Sequence, residues 1–301
     1  MLSPKALTKA LVILLFITLS QAGCTKTTPP VKKPVSPVQE KTSGTLLVKE
    51  SVVDILAEQR EGSERLTQAL LGMPVEILRT AEGWYQVRVP DGKTGWLPET
   101  NLGWATVPEG PKVLVETPTA TVFRYPDPLS PVWLKAYKGS QLPLIDASGS
   151  FLQVKLPTGT SGWLEQNKGI ILKTGKIPRG NARGIVAAAR NYLDSPYLWG
   201  GMTVKGIDCS GLTYMAHYFN GISIPRDSRD QFASGKPITA VDQLQPGDLV
   251  FFSLSRPGAS HVGIFLGAGQ FIHASPGKGV TVSSLADSRY TNHYVGARRY
   301  W

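Results

Sequence analysis

Apolar and polar residues alternate through two stretches of the first half of the chain, residues 83–97 and 150–164. Each breaks at Pro-x-Gly and resumes with Gly-Trp-Leu, the pattern of a β-hairpin. Aligned at an offset of 67 residues, seven of the 15 positions are identical: Gln86, Val87, Pro90, Gly92, Gly95, Trp96 and Leu97 recur in the second copy. Apolar runs at 75–78 and 142–145 add a strand before each hairpin. The period is too long for a solenoid. Two small β-barrels in tandem are expected, over 45–108 and 109–175, with their Trp residues serving as core more than as ligand platforms.

From about residue 180 the period lengthens. Ile185, Val186, Ala189 and Leu193 share one helical face, Asn181 stands at the N-cap position and Pro196 ends the run. After the loop Tyr197-Leu-Trp-Gly-Gly201, a second helix is predicted with Asp208 as N-cap, Leu212, Ala216 and Phe219 as its apolar stripe, and Asn220-Gly221 as its end. Strands follow at 248–253, 261–266 and 271–274, the last two joined by Gly267-Ala-Gly-Gln270. A three-residue loop would place His261 and His273 on one face as diagonal neighbours; a two-residue loop would place them on opposite faces.

Composition narrows the class. The chain is 42% hydrophobic and 18% charged, which excludes full disorder, collagen and a polytopic membrane protein. Two cysteines exclude a disulfide-dense scaffold and a four-thiolate zinc site. The net charge of +10 is spread along the chain without a basic run, so no nucleic-acid partner is expected and a diffuse anionic polymer suits it better.

The amino terminus carries Lys5 and Lys9, an apolar centre at 11–19, and small residues Ala22-Gly23 before Cys24. This reads as a signal peptide over 1–23, too short in its apolar part to span a bilayer. Ala-Gly-Cys resembles a bacterial lipoprotein signal, which implies lipidation of Cys24, although Gln21 stands where such signals usually have Leu. Ordinary cleavage near Ala22, leaving a soluble secreted protein, is the alternative. Residues 24–44 are rich in Thr, Pro and Lys and predict a disordered tether. An exported protein of the cell envelope follows, anchored by lipid and facing the periplasm from the outer membrane if the cell has one.

With Cys24 lipidated, Cys209 is the single remaining thiol, without a disulfide partner in an oxidising compartment. At a helix start it meets partial positive charge and free N–H groups, which favour a thiolate and suit an oxyanion. Cys209, His261 and His273 thus supply a nucleophile, a base and an orienting group. As zinc ligands they lack a short-spaced pair, so neither metal nor other cofactor is expected. His217 and His293 read as structural.

Tyr-x-Trp-Gly-Gly, Asp-Cys-Ser-Gly, Arg226-Asp-Ser228, Leu244-Gln-Pro-Gly-Asp-Leu249, His261-Val-Gly-Ile264 and His273 together resemble the NlpC family of bacterial cell-wall cysteine peptidases over residues 180–301. The Gly-Trp-Leu hairpins resemble bacterial SH3-like domains. The resemblance implies a multi-domain fold of two SH3-like β-barrels followed by an α+β, papain-like peptidase domain. It implies a monomeric enzyme that hydrolyses peptidoglycan stem peptides between γ-D-glutamate and a diamino acid, typically meso-diaminopimelate. Cys209 would be the nucleophile, His261 the base and His273 its partner. Tyr197 would hold the oxyanion or substrate, and Trp199, Asp208, Ser210 and Ser228 would grip the L-Ala-γ-D-Glu end. In close relatives the first SH3-like domain closes the pocket with an acidic residue just before Thr-Gln-Ala-Leu and a Tyr after Asp-Gly. Here Leu66 and Lys93 stand in those places, with Glu64 two residues away. An N-acetylmuramoyl-L-alanine amidase of Cys-His type and a non-catalytic wall-binding protein are the rival readings.

Overall fold

A computed structural model describes residues 44–103 and 109–301. The signal peptide, Cys24 and the tether up to residue 43 lie outside the described residues. Two β-sheets come first. One holds β1 (Thr45–Leu47), β2 (Val52–Leu56), β3 (Arg65–Leu70), β4 (Pro74–Ala81), β5 (Trp84–Arg88) and β6 (Thr94–Pro98), in spatial order β1-β4-β5-β6-β2-β3. The other holds β7 (Lys112–Val115), β8 (Thr119–Phe123), β9 (Val132–Tyr137), β10 (Gln141–Ser148), β11 (Phe151–Lys155), β12 (Ser161–Glu165) and β13 (Gly169–Leu172), in order β13-β7-β10-β11-β12-β8-β9. Without the edge strand β13 the two orders coincide strand for strand, so the repeat read from residues 83–97 and 150–164 extends to the whole topology. Gly92 and its counterpart Gly159 turn the repeated hairpins at φ of 89° and 88°, a region costly for any side chain.

The tryptophans of the repeat are not core. Strand period 2 turns Gly95 and Leu97 inward and Trp96 outward, and Gly162, Leu164 and Trp163 repeat the arrangement. Leu97 and Leu164 are fully buried, while Trp96 and Trp163 are half-buried. A Cβ on Gly95 would lie 2.6 Å from the Leu56 carbonyl oxygen, so the inward side of the hairpin is already filled by backbone. Trp96 instead carries the Arg79 guanidinium 5.8 Å from its ring centre.

The rest of the chain forms α1 (Ala182–Arg190), the ribbon β14 (Met202–Thr203) and β15 (Gly206–Ile207), α2 (Cys209–Tyr218), α3 (Ser228–Ser234), β16 (Lys236–Ile238), β17 (Leu249–Phe252), β18 (His261–Gly267), β19 (Gln270–Ser275), β20 (Gly279–Ser284), α4 (Ser288–Thr291) and β21 (Tyr294–Arg299). The large sheet is antiparallel with order β16-β21-β17-β18-β19-β20. Alternation splits its side chains between two cores. Phe251, Val262, Ile264 and Ile272 pack with Ile185, Ala189, Leu212 and Ala216 of the helices. Val250, Phe252, Phe265 and Phe271 pack on the opposite face with Tyr290 of α4.

Three consecutive residues tie the sheets to the helical part. Ala69 lies in the core of the first sheet, Leu70 in the helix-packed core and Leu71 in the core of the second sheet. Moving β3 would therefore disturb all three cores. Among the described residues no helix is long and apolar enough to cross a membrane.

Candidate active site

The predicted cap at the start of α2 is present. Asp208 has extended backbone (φ −95°, ψ 176°) and its Oδ1 accepts from the Gly211 N–H at 2.6 Å. Capping leaves Cys209 as the first helical residue, 9% exposed, its sulfur accepting from the backbone N–H groups of Val262 and Ser210. Val262 directly follows His261, so the thiol sits where β18 begins. Burial, and then the Asp208 carboxylate, push this thiol up to about 12, against the lowering effect of the two N–H groups and Arg226. The helix-start argument alone predicts a thiolate; desolvation overrides it, and the resting group is a neutral thiol.

His261 and His273 lie on one face, but by a different route from a three-residue loop. The β18–β19 turn contains only Ala268 and Gly269, at φ of 49° and 71°. Pairing runs Phe265↔Phe271 and then Gly267↔Gln270, so Leu266 is an extra, bulged residue. Turn plus bulge restore the parity that a two-residue turn would have broken. His261 Nε2 and His273 Nδ1 are 2.8 Å apart with the rings near perpendicular at 89°. Phe252 and Phe271 pack beside them, on the sheet face away from α1 and α2. Beyond His273, Nε2 meets Ser283 Oγ at 3.0 Å and the Tyr290 hydroxyl at 3.4 Å.

Burial first, with Arg289 nearby, lowers His261 to about 4; burial, His261 and Arg289 lower His273 to about 3. Each ring is therefore neutral near pH 7 and carries one N–H. If His261 Nε2–H donates to His273 Nδ1, then His273 Nε2–H donates to the Ser283 hydroxyl and His261 Nδ1 is left bare. That tautomer makes His261 a base through Nδ1.

A cleft of about 190 Å³ opens at Cys209, lined also by Glu64, Leu66, Lys93, Trp199, Asp208, Ser210, Asp227, Ser228, Arg256 and Ser260. Of the sequence-predicted residues, Trp199, Asp208, Ser210 and Ser228 line it. Tyr197 does not; it is half-buried, bridged to Ile207, and its phenol is pushed far above its usual range by burial and by Cys209. Trp199 is half exposed and its indole N–H donates to Glu64 Oε1 at 3.1 Å. Ser228 Oγ donates to the Ala259 carbonyl at 2.8 Å.

Sequence reading assigned no role to Arg226, which organises the floor of this cleft. At 2% exposed, it donates to both Asp208 oxygens (3.0 and 2.9 Å), to Ser210 Oγ (2.9 Å) and, from Nε, to Thr67 Oγ1 of the first sheet (3.0 Å). Thr67 in turn donates to Asp91 at 2.6 Å. Further links run from Met202 N–H to Gln68 Oε1 (2.9 Å) and from Arg65 to the Trp199 carbonyl (3.0 Å). Gly200 sits at φ 70°, and a Cβ there would come within 2.7 Å of the Arg65 carbonyl oxygen. The first sheet thus forms a wall of the cleft. Ser283 and Tyr290 also escaped the sequence reading, because nothing local marks a partner for a ring on another strand.

Comparison with known proteins places this geometry. Residues 194–299 match the model of the NlpC/P60 family and residues 55–102 match that of the bacterial dipeptidyl-peptidase Sh3 domain. A gamma-D-glutamyl-L-lysine dipeptidyl-peptidase of Bacillus cereus is 34% identical, covering 78% of this chain and 74% of its own. Dipeptidyl-peptidase 6 of Lysinibacillus sphaericus is 31% identical over 78% of this chain and 89% of its own. The crystal structure of an NlpC/P60 family protein from Bacillus cereus superposes with a TM-score of 0.76 at 27% identity, covering 85% of this chain and 99% of that one. Since the similarity runs through the first sheet as well as the Cys209 and histidine strands, the chain belongs to the NlpC/P60 family.

Proposed function

We infer that the protein is a peptidoglycan cysteine endopeptidase that cleaves the amide between γ-D-glutamate and the diamino acid of cell-wall stem peptides. Two relatives are named for γ-D-glutamyl-L-lysine, and meso-diaminopimelate presents the same amine to the scissile bond. In this reading 45–108 and 109–175 are SH3-like domains, 180–301 is a papain-like peptidase domain, and a lipid on Cys24 holds the monomer in the envelope. Cys209 is the nucleophile, His261 the base and His273 the residue that fixes its tautomer.

The observation that carries the reading is the pair His261–His273, two rings joined through ring nitrogens at 2.8 Å and backed by the Ser283 hydroxyl, on the strand whose Val262 N–H meets the Cys209 sulfur at the head of α2. Thiol and imidazole are both neutral at rest, so the proton crosses from sulfur to His261 Nδ1 as the sulfur attacks the γ-carbonyl. The carbonyl oxygen gathers charge at the head of α2, where the helix dipole places partial positive charge. Collapse expels the diamino acid's amine, which takes its proton from His261. A water activated by the same nitrogen then hydrolyses the thioester, releasing the γ-glutamyl carboxylate and the thiol. Trp199, Asp208, Ser210 and Ser228, which line the cleft, hold the acyl side, and Tyr197, outside that lining, keeps a protonated phenol near Cys209 from which it would reach the oxyanion or substrate by turning inward.

Mass spectrometry of the products of L-Ala-γ-D-Glu-meso-diaminopimelate peptides tests this. Cleavage should release the free diamino acid and L-Ala-D-Glu, and Cys209→Ala or His261→Ala should abolish it. Cleavage on the other side of D-Glu, or at the lactyl–alanine bond of a muramyl peptide, would replace the reading with another hydrolase.

A further inference from the structure

Cys209 stands at the head of α2; at the tail of the same helix a second hollow, of about 290 Å³, lies between α2, α1 and the second sheet. Gly184, Ala187, Ala188 and Asn191 face it at the spacing of one helical face, and their small size leaves the space open. A Cβ on Gly184 would come within 2.0 Å of Asn220 Oδ1, so no larger residue fits there. Leu114 of β7 and Ile170 and Leu172 of β13 supply an apolar wall, and Phe219 closes it from α2. The strand that has no counterpart in the first sheet, β13, thus shapes this hollow. The turn between β9 and β10 brings Lys138 into it. Gly139 holds that turn at φ 98°, with room for no side chain: a Cβ would lie 2.7 Å from Met215 Cε. The Gly139 carbonyl also accepts from the Tyr218 hydroxyl at 3.2 Å.

Lys138 is 2% exposed, rare for an ammonium without a paired charge. Among the described residues it forms no ion pair. It donates to the Glu116 backbone carbonyl and stands 4.1 Å from the Phe219 ring centre. That carbonyl takes one of its three N–H groups, and burial lowers it to about 8. The Glu116 side chain is exposed and lines the same hollow. A cation and a carboxylate therefore face one space without closing on each other. A simple anion would meet Glu116 as well as Lys138, and a simple cation the reverse; a ligand carrying both signs satisfies both. The volume is at the lower end for ligand pockets, about 300–1,000 Å³, and suits one small molecule better than a peptide. We propose that this hollow binds a small apolar α-amino acid as its zwitterion, with the carboxylate on Lys138, the ammonium on Glu116 and the side chain against Ile170, Leu172 and Phe219. The site is separate from the catalytic cleft and does not depend on the reaction assigned to it.

Isothermal titration of the full chain at pH 7 tests this with three probes of one shape. These are L-leucine, isocaproate, which lacks the ammonium, and isoamylamine, which lacks the carboxylate. L-leucine should bind with a dissociation constant of about 1 mM or tighter, as its size allows. Each single-charge probe should bind about tenfold more weakly or worse, the order of one lost charge-assisted hydrogen bond. Lys138→Met should weaken L-leucine by a similar factor. Because that change alters a buried position, two substitutions at exposed positions carry the test as well. Glu116→Gln removes the partner of the ammonium, and Ala187→Phe fills the hollow from α1 while leaving both charges in place. Each should weaken L-leucine about tenfold or more, with the circular dichroism unchanged. No saturable heat from L-leucine would overturn the proposal, as would equal binding of all three probes. So would binding that Glu116→Gln and Ala187→Phe leave within twofold, which would put the amino acid elsewhere, the catalytic cleft included.

Discussion

Replacing Arg226 by methionine keeps much of the side-chain volume but deletes five donated hydrogen bonds inside a region that is 2% exposed. The loss is concentrated on Asp208. Its carboxylate would remain buried, at 8% side-chain exposure, with only the Gly200 and Gly211 N–H groups and the Ser210 hydroxyl to face it. Breaking one side of a buried ion pair costs about 3–5 kcal/mol, because the surviving charge keeps its desolvation penalty. The Lys93–Asp227 pair, with side chains 26% and 42% exposed, provides an internal contrast at about 0–1 kcal/mol. Urea denaturation followed by tryptophan fluorescence should therefore show Arg226→Met losing several times more stability than Lys93→Met. Asp208→Asn in the Arg226→Met background should recover part of the loss, since asparagine still caps α2 and leaves no unpaired charge. If Arg226→Met costs less than about 1 kcal/mol, the scale of an exposed pair, the guanidinium is not the link between the first sheet and the cleft floor.

Other outcomes follow from the same geometry. His273→Ala should lower kcat by about 10²-fold or more, in the range of a general-base contribution, with KM little changed; an unchanged kcat would free His261 from its partner. Alkylation of Cys209 by iodoacetamide should be slow at pH 7 and accelerate with pH, because the thiol is pushed up to about 12; rapid labelling at pH 7 would show a stored thiolate instead. His217, His261 and His273 are lowered to about 4, 4 and 3. Between these values and the unfolded value of about 6.5 the unfolded chain binds more protons, so stability is full above that value and falls as pH drops toward 4. A Tm that stays flat from pH 7 to 4 would contradict their burial in neutral form.

Much of the site could be read from residue order because its parts rest on local rules. Asp208 caps α2 in the predicted place, Asn181 caps α1 through the Gly184 N–H at 3.2 Å, and the family motifs carried Cys209, His261 and His273. The repeat of Gly-Trp-Leu gave both sheets. What stayed hidden depends on contacts that no local period encodes. The run Gly267-Ala-Gly269 fits a two- or a three-residue connection, and only the ladder reveals Leu266 as a bulge. Arg226 meets Thr67 across 159 residues of sequence, and Ser283 and Tyr290 reach His273 from other elements. Trp96, expected in the core, is the simpler case: alternation gives the inward positions to Gly95 and Leu97.

The most direct measurement is the mass of the protein after rapid acid quench during turnover of L-Ala-γ-D-Glu-meso-diaminopimelate, with peptide mapping of any adduct. A thioester of the L-Ala-D-Glu fragment should appear on the peptide containing Cys209. An adduct on a different side chain, or undiminished turnover by Cys209→Ala, would contradict the assignment of that sulfur as the nucleophile.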